Sequence, residues 1–137
     1  GRAYFPVFAK HRVLVLRGVY TGVEPIGGDT TALPFYRLVR SDGAARFAGF
    51  TRDRFRDNRL LLARAEYRWH LIQGVYGVLL YELGEVAPHA NAFRLRDAHK
   101  SYGGGLRLGW NQETAVRLEA AQSVEGLTVV LTLGSTF

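Results

Sequence analysis

Several residue types in this chain could perform hydrolytic or metal chemistry, but their spacing does not support it. Asp97, His99 and Ser101 supply the groups of a hydrolytic triad, yet alternate positions in one short segment do not indicate an assembled nucleophile, base and orienting acid. The four histidines are scattered without the spacing of metal ligands. The glycines at 103–105 lack the Lys-Ser/Thr of a phosphate loop. We therefore predict no catalytic residue, no metal site and no cofactor.

The charged residues with the most informative spacing are arginines. Arg52, Arg54 and Arg56 alternate with Asp53 and are followed by Asp57. Charges of opposite sign that alternate in this way indicate ion pairs. They argue against acid–base catalysis by Asp53 and Asp57. The cluster leads directly into the segment 59–69, in which apolar and charged residues alternate.

The overall charge bears on partners. A net charge of +6 would suit nucleic-acid binding, but of the 18 basic residues only Lys10 and Lys100 are lysine. Arginine is preferred where charges are paired in fixed geometry, as in buried or lumenal networks. We predict no nucleic-acid partner, and a soluble basic β-domain that binds nucleic acid is the alternative.

The elements that hold these residues are predicted to be β-strands, because period two recurs along the chain and helical periodicity does not. The 137 residues contain no cysteine, so disulfides are excluded. Most of the predicted strands have nine to eleven residues, which is the length that a tilted strand needs to cross a bilayer, whereas strands of soluble proteins average about five or six. The seven predicted strands are 3–9, 12–21, 59–69, 75–84, 102–110, 115–123 and 127–137.

The ends of these strands carry aromatic residues. If consecutive strands run up and down, one end of the sheet has Tyr67, Trp69, Trp110 and Phe137, and the opposite end has Tyr20 and Tyr102. Such girdles are typical of strands that end at membrane interfaces. Connections also mostly alternate between short and long, as in outer-membrane barrels. We predict an all-β fold, an antiparallel transmembrane β-barrel, and a soluble β-sandwich is the alternative.

Several short motifs follow one another in a fixed order. A Pro-aromatic segment at 34–36 precedes the tetrapeptide 47–50 (FAGF), and an Arg-Phe-Arg-Asp segment at 54–57 precedes Glu-Tyr-Arg at 66–68. The segment 81–84 (YELG), the Gly-x-Gly-Leu-Arg pattern at 103–107 and the terminal LGSTF continue the series. This order resembles the bacterial surface antigen family, the BamA/TamA-type outer-membrane β-barrels, over about residues 12–137.

The resemblance implies a domain organisation. Residues 1–137 would be the C-terminal portion of one barrel domain, with about seven strands of the roughly sixteen of a barrel of the family's size. The long loop 22–58 would fold into the lumen. The N-terminal barrel strands and any periplasmic POTRA domains would lie outside this chain.

The resemblance also implies a function and a location. The chain would belong to a non-enzymatic integral protein of the bacterial outer membrane that assembles and inserts outer-membrane proteins or translocates protein. Its partners would be outer-membrane lipid and lipopolysaccharide, unfolded outer-membrane proteins or secreted substrates, and POTRA domains or accessory subunits. The alternative is a passive barrel that serves as a membrane anchor or pore for another domain or complex. Ala48 favours that alternative, since it stands where the family carries an arginine.

The candidate site consists of the loop motif and the barrel wall on which it would dock. The arginines of the loop are expected to pair with Glu66 and Glu82, and Gly103 and Gly105 to leave room for the loop. The alternative is that these arginines are solvated or bind lipopolysaccharide phosphates. The predicted loop motif is Phe47, Ala48, Gly49, Phe50, Arg52, Arg54, Arg56 and Asp57; the predicted wall is Glu66, Arg68, Glu82, Gly103, Gly105, Arg107 and Glu119; the closing strand carries Gly134 and Phe137.

Overall fold

The computed structural model describes residues 1–7, 12–24, 34–42, 46–94, 96–110 and 113–134, and in this part of the chain all strands but two short ones form one antiparallel sheet. Strand order follows the sequence. The sheet contains β1 (Arg2–Pro6), β2 (Arg12–Gly22), β5 (Arg59–Ile72), β6 (Val75–Ala87), β7 (His99–Trp110), β8 (Glu113–Ser123) and β9 (Gly126–Leu133), and a separate two-stranded sheet contains β3 (Val39–Arg40) and β4 (Arg56–Asp57).

The predictions of an all-β fold and of seven main strands are confirmed. The strands β5 to β7 have 14, 13 and 12 residues, so they extend beyond the predicted ends. Strand β9 ends at Leu133, short of the predicted end at 137, and residues 135–137 lie outside the described residues. Among the described strands, β1 pairs only with β2 and β9 only with β8, so each leaves one edge without a partner strand.

The turn between β5 and β6 sets the register that matters most for the site. Gly74 occupies this two-residue turn with a φ of 77°, a conformation that glycine adopts readily. A bulge between His70 and Ile72 then shifts the pairing by one residue. As a result Arg64 lies opposite Glu82, and both side chains point to the same side of the sheet.

That side of the sheet is concave. A hydrogen bond of 2.7 Å joins Arg64 Nη2 on β5 to Glu119 Oε1 on β8, although β6 and β7 lie between the two strands. In a flat sheet, three strand spacings would separate these backbones by about 14 Å. The sheet must therefore curl toward this side to bring the two side chains together.

The described parts of the loop, residues 34–42 and 46–58, fold back onto the concave face. Phe47, Phe50 and Phe55 form a buried cluster with Leu60 and Leu62 of β5, and the three rings contact one another with centroids 4.9–5.7 Å apart. The core thus lies between the loop and the sheet rather than between two sheets. The described residues contain no helix of the length and apolarity that a membrane span requires, and the only helical turns there are 3-10 turns at Phe35–Arg37 and Ala90–Ala92.

Candidate functional site

The concave face carries a buried network of ion pairs, which we call the charge network. Arg64 is its centre, because its guanidinium lies 2.8 Å from Glu82, 2.7 Å from Glu119 and 2.6 Å from Glu66. All four of these side chains are at least nine-tenths buried. The network consists of Arg64, Glu66, Arg68, Glu82, Arg107, Arg117 and Glu119.

Each carboxylate of the network also has partners besides Arg64. Glu66 accepts hydrogen bonds from Arg68 and from Arg107 Nη2, the latter at 2.8 and 2.9 Å. Glu119 accepts one from Arg117. Burying a charge without such partners is costly, and removing one partner of a buried pair typically costs about 3–5 kcal/mol. We expect the network to hold the curled strands in one arrangement.

Glu82 connects the network to the loop. Its Oε1 accepts a hydrogen bond from Arg64 Nη1 at 2.8 Å, and its Oε2 accepts from the backbone N–H of Ala48 and from the hydroxyl of Ser101, both at 2.7 Å. The Glu82 side chain is fully buried. A wall carboxylate therefore binds the loop motif through the loop's backbone.

The loop motif fits the wall closely. A side chain at Gly84 would meet the ring of Phe47, because a Cβ there would lie 1.9 Å from Phe47 Cζ. A Cβ at Gly49 would lie 2.5 Å from the Cβ of Ser101. Ala48 is buried against Leu80 and Ala121. Phe47, Ala48, Gly49 and Phe50 thus lie against the concave face of the sheet.

The predicted pairing of the loop arginines with Glu66 and Glu82 is wrong. Arg52 pairs with Asp42 at 3.4 Å, Arg54 with Glu125 at 2.7 Å, and Arg56 with Asp53 at 3.7 Å. The physical reason is that Arg64, Arg68 and Arg107 already occupy the wall carboxylates. The loop arginines stay at the rim, where their side chains are 34–66% exposed.

The predicted role of Gly103 and Gly105 is also wrong. A Cβ at Gly103 would lie 2.1 Å from the carbonyl oxygen of Ala120, and one at Gly105 would lie 2.2 Å from that of Leu118. The two glycines therefore make room for the backbone of β8 and not for the loop. They also add no side chains of β7 to the space between Arg64 and Glu119.

The remaining residues of the prediction lie apart from the charge network. Asp57 accepts a hydrogen bond from the N–H of Asn58 at 2.7 Å, and Gly134 ends β9 with a φ of 98°. Phe137 lies outside the described residues. His99 stacks on Phe55 with centroids 4.2 Å apart, and Ser101 donates a hydrogen bond to Glu82. The described residues include no cluster of three or more side chains suited to a metal ion.

Sequence reasoning missed Arg64, Gly84 and Ser101 as parts of the site. The alternation of β5 placed Arg64 on the charged face together with Glu66, but it did not show that Arg64 would be the centre of the network. The available signal was the short turn at 73–74, which makes β5 and β6 a hairpin.

The convex face of the sheet contrasts with the concave one. Between the ends of β2 and β5 to β9, the described side chains that point outward carry no charge. Charged residues on this face lie at the strand ends: Arg12 at one end, and Arg59, Glu85 and Lys100 at the other. The large exposed residues of this apolar band are Leu16, Tyr20, Leu79, Tyr81, Tyr102, Leu106, Leu108, Leu118, Leu127, Val129, Leu131 and Leu133.

Aromatic residues on the convex face lie where the sequence placed them. Tyr20 is near the end of β2 that leads to the long loop, and its hydroxyl accepts a hydrogen bond from Arg59 at 2.6 Å. Tyr102 lies at the same end, opposite Tyr81. Tyr67 and Trp69 lie toward the other end with ring centroids 5.8 Å apart.

No model of a known protein family matches the chain, and no curated protein matches it significantly in sequence.

Proposed function

We propose that this chain is part of an integral β-barrel of the bacterial outer membrane, with the convex face toward lipid and the concave face toward the lumen. The observation that carries the proposal is the uncharged, exposed apolar band on the convex face. Soluble monomers rarely expose a contiguous apolar surface of this extent. Polar and charged residues gather instead on the concave face, which is the distribution expected of a transmembrane barrel.

The loop supports the same proposal, because it would close the lumen from one side. Its docking depends on buried aromatic packing and on the bond between Ala48 and Glu82. Together with the order of motifs, this arrangement favours the activity that the family resemblance implies, the insertion or translocation of other outer-membrane polypeptides. A membrane barrel of the roughly sixteen strands implied by the resemblance would require further strands from outside residues 1–137.

Lipid exposure of Trp69 tests the membrane assignment. Trp69 lies on the convex face, so the fluorescence that a Trp69→Phe variant of the full-length protein loses reports on Trp69. Lipids brominated along the acyl chain should quench its fluorescence in reconstituted vesicles. Quenching by a water-soluble agent, with none by the lipids, would contradict the assignment.

A specific observation favours the passive barrel as the second candidate. Ala48 contributes no guanidinium to Glu82, and Arg64 of the wall fills that position instead. Vesicles that contain the full-length protein distinguish the two functions. A protein that inserts others should accelerate the folding of a small outer-membrane barrel added in urea relative to empty vesicles, whereas a passive anchor should leave that rate unchanged.

A further inference from the structure

A cationic cavity lies on the concave face beside the loop. Its volume is about 220 Å³, or roughly seven times the 30 Å³ that a water molecule occupies in the liquid. It is thus large enough for a small anion. Among the described residues, five arginines and two carboxylates line it: Arg17, Arg46, Arg52, Arg64, Arg117, Asp42 and Glu119.

The strand register places like charges next to each other around this cavity. Arg17 lies directly between Arg2 and Arg64 on neighbouring strands, and Arg117 lies opposite Arg107. Like charges directly opposite each other destabilise a sheet. Carboxylates offset only part of this, because the described residues of the cavity lining include three more arginines than carboxylates.

Arg46, one of the residues that line the cavity, has a donor without a protein acceptor in the described part of the chain. The Nε of Arg46 is buried and makes no hydrogen bond within the described residues. Leaving a buried donor without an acceptor is unfavourable. Guanidinium groups bind phosphate and related oxyanions through charge-assisted, often bidentate hydrogen bonds, so an oxyanion held between these arginines would offset the positive charge.

We propose that this cavity is a binding site for a phosphate-class oxyanion, held by Arg17 and Arg46 with Arg117. The proposal does not depend on the proposed function, since it uses only the concave face. The same chemistry could come from a free phosphate or from the phosphates of a lipid headgroup. The cavity lies on the side of the sheet opposite the apolar band, which favours the free ion.

The test is calorimetric titration of the full-length protein in a phosphate-free zwitterionic detergent at constant ionic strength. One arm uses inorganic phosphate and pyrophosphate, and the second uses phosphorylated lipopolysaccharide. We expect saturable binding that weakens about tenfold or more in Arg46→Gln and in Arg17→Gln. The control variant, Arg37→Gln, changes an exposed arginine outside the cavity and should bind as the wild type does.

The two arms have different meanings. Binding of inorganic phosphate or pyrophosphate that the cavity variants lose supports a free ion as the ligand. Binding of lipopolysaccharide alone, also lost in those variants, supports the same site with a lipid source. Absence of saturable binding in both arms, or wild-type affinity in both cavity variants, would overturn the proposal.

A further variant keeps the proposal testable if the arginine variants fold poorly. Thr132 lines the cavity and lies opposite Arg117, so Thr132→Glu would supply an internal carboxylate in place of the ion. This variant should have a higher thermal midpoint in phosphate-free buffer and should no longer bind phosphate. A lower midpoint with unchanged phosphate binding would contradict the proposed site.

Discussion

At the scale of single residues, Glu82 joins the charge network to the loop. It is buried, and it accepts hydrogen bonds from Arg64, Ser101 and the N–H of Ala48. No other side chain of the described residues receives bonds from both the wall and the FAGF motif. The attachment of the loop should therefore be sensitive to the charge and length of this one residue.

Substitution of Glu82 should destabilise the fold strongly. Glu82→Lys places a cation against Arg64 and should sharply lower the heat-resistant folded fraction on a gel, and Glu82→Gln should cost about 3–5 kcal/mol of unfolding free energy. Glu85→Gln is the matched control, because Glu85 lies on the same strand but accepts only an exposed hydrogen bond from Arg94. If both Glu82 variants were as stable as the wild type, Glu82 would not be the link between loop and wall.

The close approach of Phe47 to the wall gives a second residue-scale prediction. Gly84→Ala should displace the Phe47 ring, because the new Cβ would lie 1.9 Å from its Cζ. We expect faster proteolysis within the loop, measured as the rate of cleavage in the folded protein. Gly18→Ala is the control, since no atom lies within 4 Å of a Cβ there. Equal cleavage rates in both variants would show that Phe47 does not need Gly84.

At the scale of elements, the loop is held by aromatic packing more than by its arginines. Phe50→Ala should cost about 3–5 kcal/mol of unfolding free energy, as large buried side chains do. Arg52→Ala and Arg54→Ala should each cost at most about 1 kcal/mol, because their ion pairs are largely exposed. Denaturant unfolding monitored by circular dichroism measures both. A larger cost for Arg52→Ala or Arg54→Ala than for Phe50→Ala would mean that the arginines are the main attachment of the loop.

The sequence predicts well those elements whose pattern lies within the element itself. The alternation of β5 to β9 and the girdle positions of Tyr20 and Trp69 follow from period two alone. The pairing of Arg64 with Glu82 does not, because it depends on the bulge between His70 and Ile72, which shifts every pair of the hairpin by one residue. A bulge of this kind leaves only a weak mark in a single sequence.

The part of the site that sequence could not predict depends on curvature. The sequence identifies Glu66, Glu82 and Glu119 as charges on one face, and in a flat sheet Arg64 would reach Glu82 on the neighbouring strand but not Glu119 on β8. The tight approach of β7 and β8 at Gly103 instead brings β5 within reach of β8. The wall then satisfies its own carboxylates, and the loop binds through its backbone and its phenylalanines.

At the scale of the whole molecule, the sheet separates two kinds of surface. The concave face holds the charge network, the loop and the cationic cavity, while the convex face is an apolar band bounded by charged strand ends. The two faces together explain why charge and apolar residues alternate so regularly along β5 to β9. The environment of the convex face then decides between a membrane barrel and a soluble sheet.

An arginine in the middle of the convex face distinguishes these environments. Leu106 is 43% exposed near the middle of β7, so Leu106→Arg should cost little in water but about 2–4 kcal/mol at the midplane of a bilayer. Val124→Arg is the control, because Val124 is 91% exposed in the turn between β8 and β9, outside the apolar band, and should change stability by less than about 0.5 kcal/mol. Unfolding of the full-length protein from lipid vesicles by guanidinium chloride measures both. A cost for Leu106→Arg as small as that of the control would mean that the convex face meets water and not lipid.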